Sequence, residues 1–285
     1  MDAKTDIREF LISRRAKITP EQAGLPAYGG NRRVPGLRRE EVAMLAGISV
    51  EYYTRLERGN ANGVSEDVLE GITRALQLDE AERTHLFDLV RAANTTRPAR
   101  RRPSQERVRP TVQRILDAML DLPAYVRNGR LDILAANQLG YALYSPVFTD
   151  PGGTPNMARF IFLNPRATEF FDRWEGIAND AVAILRAEAG RDPYDRRLSD
   201  LIGELSTRSE EFRSRWAAHN VKFHRTGAKK LHHPLVGDLT LAYEALELPG
   251  DTGQRILVYT AEPGTPSHEA LNLLASWSST PSALP

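Results

Sequence analysis

Apolar residues recur every three or four positions through roughly the first ninety residues, the spacing that gives a helix one apolar side. Ile7, Phe10, Leu11 and Arg14 are spaced this way and predict a helix over about residues 5–16. Two short helices follow. Val42, Ala43, Leu45 and Ala46 stripe the first, and Tyr53 and Leu56 form the apolar side of the second. Between them Gly47 can take the positive φ of a helix exit, and Ser49 offers a capping oxygen to the next helix. Ser65, followed by Glu66 and Asp67, opens a fourth helix with Leu69, Ile72 and Leu76 facing inward. Asp79-Glu80-Ala81-Glu82 is a capping box for a fifth, which carries Leu86, Leu89 and Val90. Residues 17–36 are a long connection in which Thr19-Pro20-Glu21 can cap one helical turn before a run rich in breakers from Tyr28 to Gly36. Five helices with their own stripes predict an all-α bundle.

The pattern fails after residue 94. Residues 95–110 hold six arginines, three prolines and no aromatic side chain, so they cannot bury a core and read as a basic linker. A helix with Val112, Ile115, Leu116, Met119 and Leu120 opens a second domain. A hairpin is expected over residues 124–127 and 131–136 about Asn128-Gly129. Helical stretches are expected over 137–145, 157–163, 166–190, 194–206 and 209–219. Strands return at 229–233, 239–248 and 255–260, and a helix closes the chain near 266–277. The 239–248 run is partly apolar on both alternating faces, which predicts cover on both sides. The expected organisation is a helical domain over 1–94, a linker over 95–110 and an α+β domain over 111–279.

The length of 285 residues accommodates two cores, and 41% hydrophobic with 26% charged residues is ordinary for a globular protein. No apolar run reaches the eighteen or so residues of a membrane span and no secretory leader is evident, so a cytoplasmic location is expected. Zero cysteines exclude disulfides, thiolate metal sites and a cysteine nucleophile. The net charge of +1 hides an asymmetry: residues 1–110 carry 20 Lys and Arg against 16 Asp and Glu, while the rest carry 18 against 21. A basic front end is the half suited to nucleic acid.

Helix, glycine turn and capped helix describe a helix-turn-helix. Arg38 and Arg39 lie where they oppose the helix dipole, so stability of that helix does not explain them. The string Glu-Glu-Val-Ala-x-Leu-Ala-Gly-Ile-Ser-x-x-Tyr-Tyr-x-x-Leu-Glu-x-Gly resembles the phage-repressor-like, or XRE-type, family. With Val-Pro-Gly-Leu-Arg-Arg before it and Arg58-Gly59 after it, the stretch is similar to the actinobacterial MmyB-like regulators. The second half resembles them too, in Leu134-Ala135-Ala136-Asn137, in the spacing of Phe212, Trp216 and His219, in His233-Pro234-x-Val236-Gly237, and in Val258 to Pro266. The resemblance implies a phage-repressor-like bundle followed by a PAS-like ligand-binding domain. It implies a regulator of transcription that binds double-stranded DNA; because one such unit seldom binds tightly alone, a homodimer on an inverted-repeat operator is expected, and no enzyme activity is.

In that arrangement Tyr53 and Leu56 belong to the core, leaving Val50, Glu51, Tyr52, Thr54 and Arg55 to face bases in the major groove. Arg32, Arg33, Arg38, Arg39, Arg58 and Asn60 are the expected phosphate contacts. Tyr125, Asn137, Tyr141, Trp216, His219 and Tyr243 combine apolar bodies with polar tips and are the candidate ligand-binding residues, equally suited to a plain core. The resemblance implies a hydrophobic or fatty-acid-like effector. A docking or dimerisation module without ligand is the alternative for this half. His219, His224, His232 and His233 raise the question of a metal, but adjacent His232 and His233 point to opposite sides of a strand, so no metal or other cofactor is expected. An enzyme tethered to DNA finds no support: Gly-x-Ser-x-Gly, Gly-x-x-x-x-Gly-Lys, the dinucleotide fingerprint and His-Glu-x-x-His are all missing.

Overall fold

The computed structural model describes residues 3–25, 36–95, 106–149, 153–218, 226–251 and 253–278. The N-terminal helices are α1 (Ala3–Lys17), α2 (Arg39–Ala46), α3 (Val50–Glu57), α4 (Glu66–Ala75) and α5 (Glu80–Asn94). The stripes predicted from periodicity meet in one core, where Ile7, Phe10, Leu11, Val42, Tyr53, Leu56, Ile72 and Leu86 are fully buried. The caps are local and form as expected. Ser49 Oγ accepts the Tyr52 N–H at 3.1 Å, and Asp79 and Glu82 exchange reciprocal bonds of 2.8 and 3.2 Å at the start of α5. Gly47 leaves α2 at φ 69°, a conformation in which a Cβ is strained. Thr19 and Gln22 cap the single turn after α1 reciprocally, at 2.9 and 3.3 Å.

A carboxylate lies within this apolar core. Glu57, at the end of α3, is 1% exposed. Its carboxylate accepts from Arg15 Nε of α1 at 2.6 Å, from Arg39 Nε of α2, and from the Tyr53 hydroxyl at 3.4 Å. Arg15 also donates to the Leu37 carbonyl at 2.9 Å, holding the approach to α2. Burial raises the pKa of the Tyr53 hydroxyl, with the Glu57 carboxylate next in effect, so Tyr53 stays a neutral donor. Helix α1 is joined to α5 through buried Arg14, which meets Glu82 at 3.0 Å and lies over the Phe10 ring.

The remaining elements are α6 (Pro110–Ala118), β1 (Ala124–Arg127), β2 (Ile133–Ala136), α7 (Gln138–Leu143), α8 (Met157–Leu163), α9 (Ala167–Phe170), α10 (Trp174–Arg191), α11 (Arg196–Arg208), α12 (Glu210–Ala217), β3 (Thr226–His233), β4 (Gly237–Glu247), β5 (Arg255–Thr260) and α13 (Pro266–Ser278). By contacts the chain forms two units. The first is residues 1–101 with 186–202 and 214–222; the second is 102–185 with 203–213 and 223–285. The expected fold class holds: a helical bundle, then an α+β domain built on a five-stranded antiparallel sheet in the order β2-β1-β5-β4-β3.

Three local expectations needed correction. The helix expected over 166–190 is broken, because Phe171 turns extended to bridge Leu231 and Asp172 N–H donates to the Lys230 carbonyl at 3.3 Å. The positive φ of the β1–β2 turn falls on Leu131, at 66°, and not on Gly129. There Asn128 Oδ1 accepts from the N–H groups of Arg130 and Asp132, both at 3.0 Å, and supplies the turn geometry with its side chain. Strand β4 buries only one face: Leu239, Leu241 and Tyr243 are buried, whereas Thr240, Ala242 and Glu244 between them are exposed.

The sheet separates its two sides by strict alternation. Ala124 and Val126 of β1 with Ile256 of β5 pack against Val112 and Leu116 of α6. Tyr125, Leu257, Tyr259, Leu241 and Leu231 are buried on the opposite side. Neither outer strand runs free along its whole length. Next to β2, Asp132 bridges Asn156, flanked by Ile133 N–H to the Pro155 carbonyl at 2.7 Å and Met157 N–H to the Leu131 carbonyl at 2.9 Å. Next to β3 stands the Phe171–Leu231 bridge.

Two stability outcomes follow from these buried polar groups. Glu57→Gln leaves Arg15 and Arg39 facing a neutral amide, and breaking a buried pair in this way costs about 3 kcal/mol. Hydrogen exchange at the α1–α3 amides in the full chain should accelerate accordingly; unchanged protection would contradict it. His233 is buried, with Nε2 donating to the Ala142 carbonyl at 3.0 Å and Nδ1 accepting the Leu235 N–H at 3.2 Å. Burial lowers its pKa below the usual 6.5, so the unfolded chain binds the proton first. Stability of the β3–β4 region is therefore complete above about pH 7 and declines as pH falls through 6.5 toward the folded-state value. Exchange rates measured from pH 7.5 to 5 should show that decline, and His233→Gln should flatten it.

Candidate nucleic-acid interface and ligand cavity

The helix-turn-helix exposes one surface of α3. Glu51 and Arg55 are exposed, Val50, Tyr52 and Thr54 are half-buried, and Tyr53, Leu56 and Glu57 are turned inward. The Arg55 guanidinium lies 4.7 Å from the centroid of the Tyr52 ring, one helical turn back, which limits the directions it can take. Arg38 stands at the N-terminus of α2, where its N–H donates to Glu41 at 2.6 Å and its side chain is exposed. Arg58 follows α3 and is exposed, as is Asn60, whose Oδ1 accepts the Asn62 N–H at 3.4 Å. Arg39 has a structural role that periodicity does not reveal: its Nε is engaged by Glu57, although the side chain remains half exposed. That ion pair explains an arginine opposing the dipole of α2. Arg32 and Arg33 lie outside the described residues.

In the second unit a cavity of about 50 Å³ opens on the side of the sheet away from α6. Apolar side chains from α8 and α10 line it, among them Ile161, Ile177 and Ile184, with Leu257 of β5. Its polar side is made by Tyr125 and Arg127 of β1, Lys229 of β3, Tyr243 of β4 and Asp180 of α10. Gly227 faces Tyr243 across the β3–β4 pairing, and a Cβ there would sit 3.2 Å from the ring, so the glycine gives the tyrosine room. Beneath the cavity the hydroxyls of Tyr144 and Tyr259 are hydrogen-bonded at 2.8 Å, and Tyr125 Oη is 3.3 Å from Tyr259 Oη. Burial holds the pKa of all three phenols above the ordinary value.

Residues 108–274 match the MmyB-like transcription regulator ligand binding domain, more than half of the chain. The chain belongs to the MmyB-like transcription regulators. Residues 14–86 match a helix-turn-helix domain, the region that contains α2, the glycine turn and α3. No curated protein matches the chain. This MmyB-like regulator therefore joins a DNA-binding domain to a domain of the ligand-binding type, and these are the parts of a transcription regulator. Among its described residues no helix is long and apolar enough to cross a membrane.

Of the candidate ligand residues, the structure brings Tyr125 and Tyr243 together at the cavity. Asn137 is held elsewhere: it caps α7 through the Gly140 N–H at 2.7 Å, accepts the Ala124 N–H at 3.0 Å and donates to the carbonyls of Met119 and Leu122. Tyr141 is exposed and packs on Phe148. Trp216 belongs to the first unit, where the buried Arg186 guanidinium stacks 4.1 Å from its ring and donates to its carbonyl. His219 and His224 lie outside the described residues. His232 pairs with Asp238 at 2.7 Å while His233 is buried on the other side of β3. The charged lining residues that periodicity missed are Arg127, Asp180 and Lys229. A signal existed for one of them: Lys229 and Lys230 are neighbours in a strand, so one must point inward.

Proposed function

We propose that α3 reads operator sequence in the major groove through Val50, Glu51, Tyr52, Thr54 and Arg55, with Arg38, Arg58 and Asn60, and the half-exposed side chain of Arg39, on phosphates. Arg32 and Arg33 complete that phosphate set in this reading. The observation that carries it is the exposed Glu51–Arg55 side of a short, capped helix whose opposite side is locked into the bundle. Arg55 suits a bidentate contact to guanine, Glu51 an exocyclic amine of cytosine, and Val50 a thymine methyl. A unit of this size gains affinity by pairing, so the reading includes a homodimer on an inverted repeat with half-sites about 10 bp apart. We infer that the second domain senses a small hydrophobic molecule in the cavity over β1, β3 and β4. Its apolar walls with a few convergent polar groups support that reading.

Operator selection from a random DNA pool, followed by binding measured over a salt series, tests the DNA half. Arg55→Ala should cost about 1–3 kcal/mol on the selected operator and erase preference at one position per half-site. Arg58→Ala should weaken selected and scrambled DNA alike and reduce the salt slope by about 1. Equal losses from both variants on both DNAs would remove the division of roles. For the sensing half, a ligand held in the cavity should shift operator affinity several-fold, and operator should shift ligand affinity by the same factor, since couplings are typically about 1–3 kcal/mol and reciprocal. Titrating each in the presence of the other measures both factors.

A further inference from the structure

The cavity contains a lysine that a purely apolar sensing site does not require. On β3 the side chains of Lys229, Leu231 and His233 share one side, while exposed Lys230 belongs to the other. Lys229 Nζ lies 3.2 Å from Tyr259 Oη, 5.0 Å from the centroid of the Tyr243 ring and 5.6 Å from that of Tyr259. Arg127 from β1 and Asp180 from α10 share the cavity wall with it, beside Tyr125 and Tyr243. Burial brings the ammonium pKa down to about 8, with Arg127 acting in the same direction and Asp180 against it. With the amine neutral, Arg127 and Asp180 balance one another in an otherwise apolar space, whereas a protonated amine leaves an excess positive charge there. About a tenth of such an amine is neutral at pH 7, far more than for an ordinary lysine. A desolvated lysine beside a second cation is an arrangement that activates the amine as a nucleophile.

We propose that Lys229 captures the carbonyl carbon of an apolar aldehyde or ketone as a reversible imine within this cavity. The inference rests on the cavity being the ligand site. The amine nitrogen attacks the carbonyl carbon and the C=O bond opens to a carbinolamine. Its hydroxyl takes up a proton and leaves as water, while the nitrogen loses its protons and the C=N bond forms. One amine and one carbonyl yield one imine and one water, with no oxidant or reductant. Tyr259 Oη, within hydrogen-bonding distance of the nitrogen, is placed to relay protons. The apolar walls would hold the alkyl body and limit hydrolysis of the imine by bulk water.

The test uses the full chain with decanal, decanol and decanoate, each with and without borohydride, followed by peptide mass mapping and thermal melts. The expected result is a borohydride-fixed decanal adduct on Lys229 exceeding that on exposed Lys230 by about tenfold or more at pH 7. The adduct should be suppressed by excess decanol and lost in Lys229→Arg, which keeps the charge and removes the imine-forming amine. Lys229→Met with an unchanged melting temperature serves as the second variant. Adduct spread equally over Lys229 and Lys230, or no adduct at all, overturns the proposal. Decanol or decanoate raising the melting temperature without any Lys229 adduct overturns the imine and leaves the sensing reading standing. If none of the three compounds is bound, both readings fall.

Discussion

The orientation of α3 in the helix-turn-helix depends on a single carboxylate. Glu57 lies at the end of α3, almost without solvent contact, and takes hydrogen bonds from Arg15 of α1, Arg39 of α2 and the Tyr53 hydroxyl of its own helix. Apolar packing among Phe10, Leu11, Val42 and Leu56 holds these helices together but tolerates sliding and rotation. Charge-assisted hydrogen bonds are directional, and a buried carboxylate that loses a partner is costly, so the three helices are fixed in register as well as in contact. The exposed side of α3 thereby inherits its direction from groups it does not contain. Tyr52 extends the same logic outward by restricting the Arg55 guanidinium.

What could be read from the chain, and what could not, divides along the range of the interactions. Gly47, Ser49, Ser65 and the Asp79–Glu82 box act over three or four residues, and the apolar stripes are periodic, so the helical bundle was legible almost element by element. The role of Arg39 was not, because the partner that explains it lies 18 residues further on, and Arg15 is 42 residues from the same carboxylate. The break between α9 and α10 depends on Phe171 meeting Leu231, which no local pattern announces. Aromatic residues with polar tips were a useful guide to the cavity only where a strand carried them: Tyr125 and Tyr243 reach it, whereas Tyr141 and Trp216 on helices pack elsewhere. Arg127, Asp180 and Lys229 carry the charge of the cavity, and charged side chains read one at a time look like solvated ones.

The sheet explains how one domain accommodates both a dry core and a charged cavity. Successive residues of a strand face opposite ways, so Ala124 and Val126 join the packing under α6 while Tyr125 and Arg127, between and beside them, face the cavity. Apolar packing on one side gives the strands enough stability to carry costly groups on the other. The penalty is visible in Lys229, whose ammonium is disfavoured by burial, and in the tyrosine hydroxyls, which are kept protonated and hydrogen-bonded to each other. Perturbed groups gathered on one wall of a cavity make it a candidate site.

The two capped borders of this sheet bear on how copies of the domain associate. An uncovered outer strand offers a row of free amide and carbonyl groups, and a second chain can extend the sheet by pairing with it. Here Asn156 with its flanking bonds occupies part of one border, and Phe171 sits against the C-terminal half of the other. Continuous strand addition is interrupted at both ends. Over the bridged residues the backbone of the border strands is already engaged, so any contact made there is written in the shape and charge of side chains rather than in the backbone common to every protein.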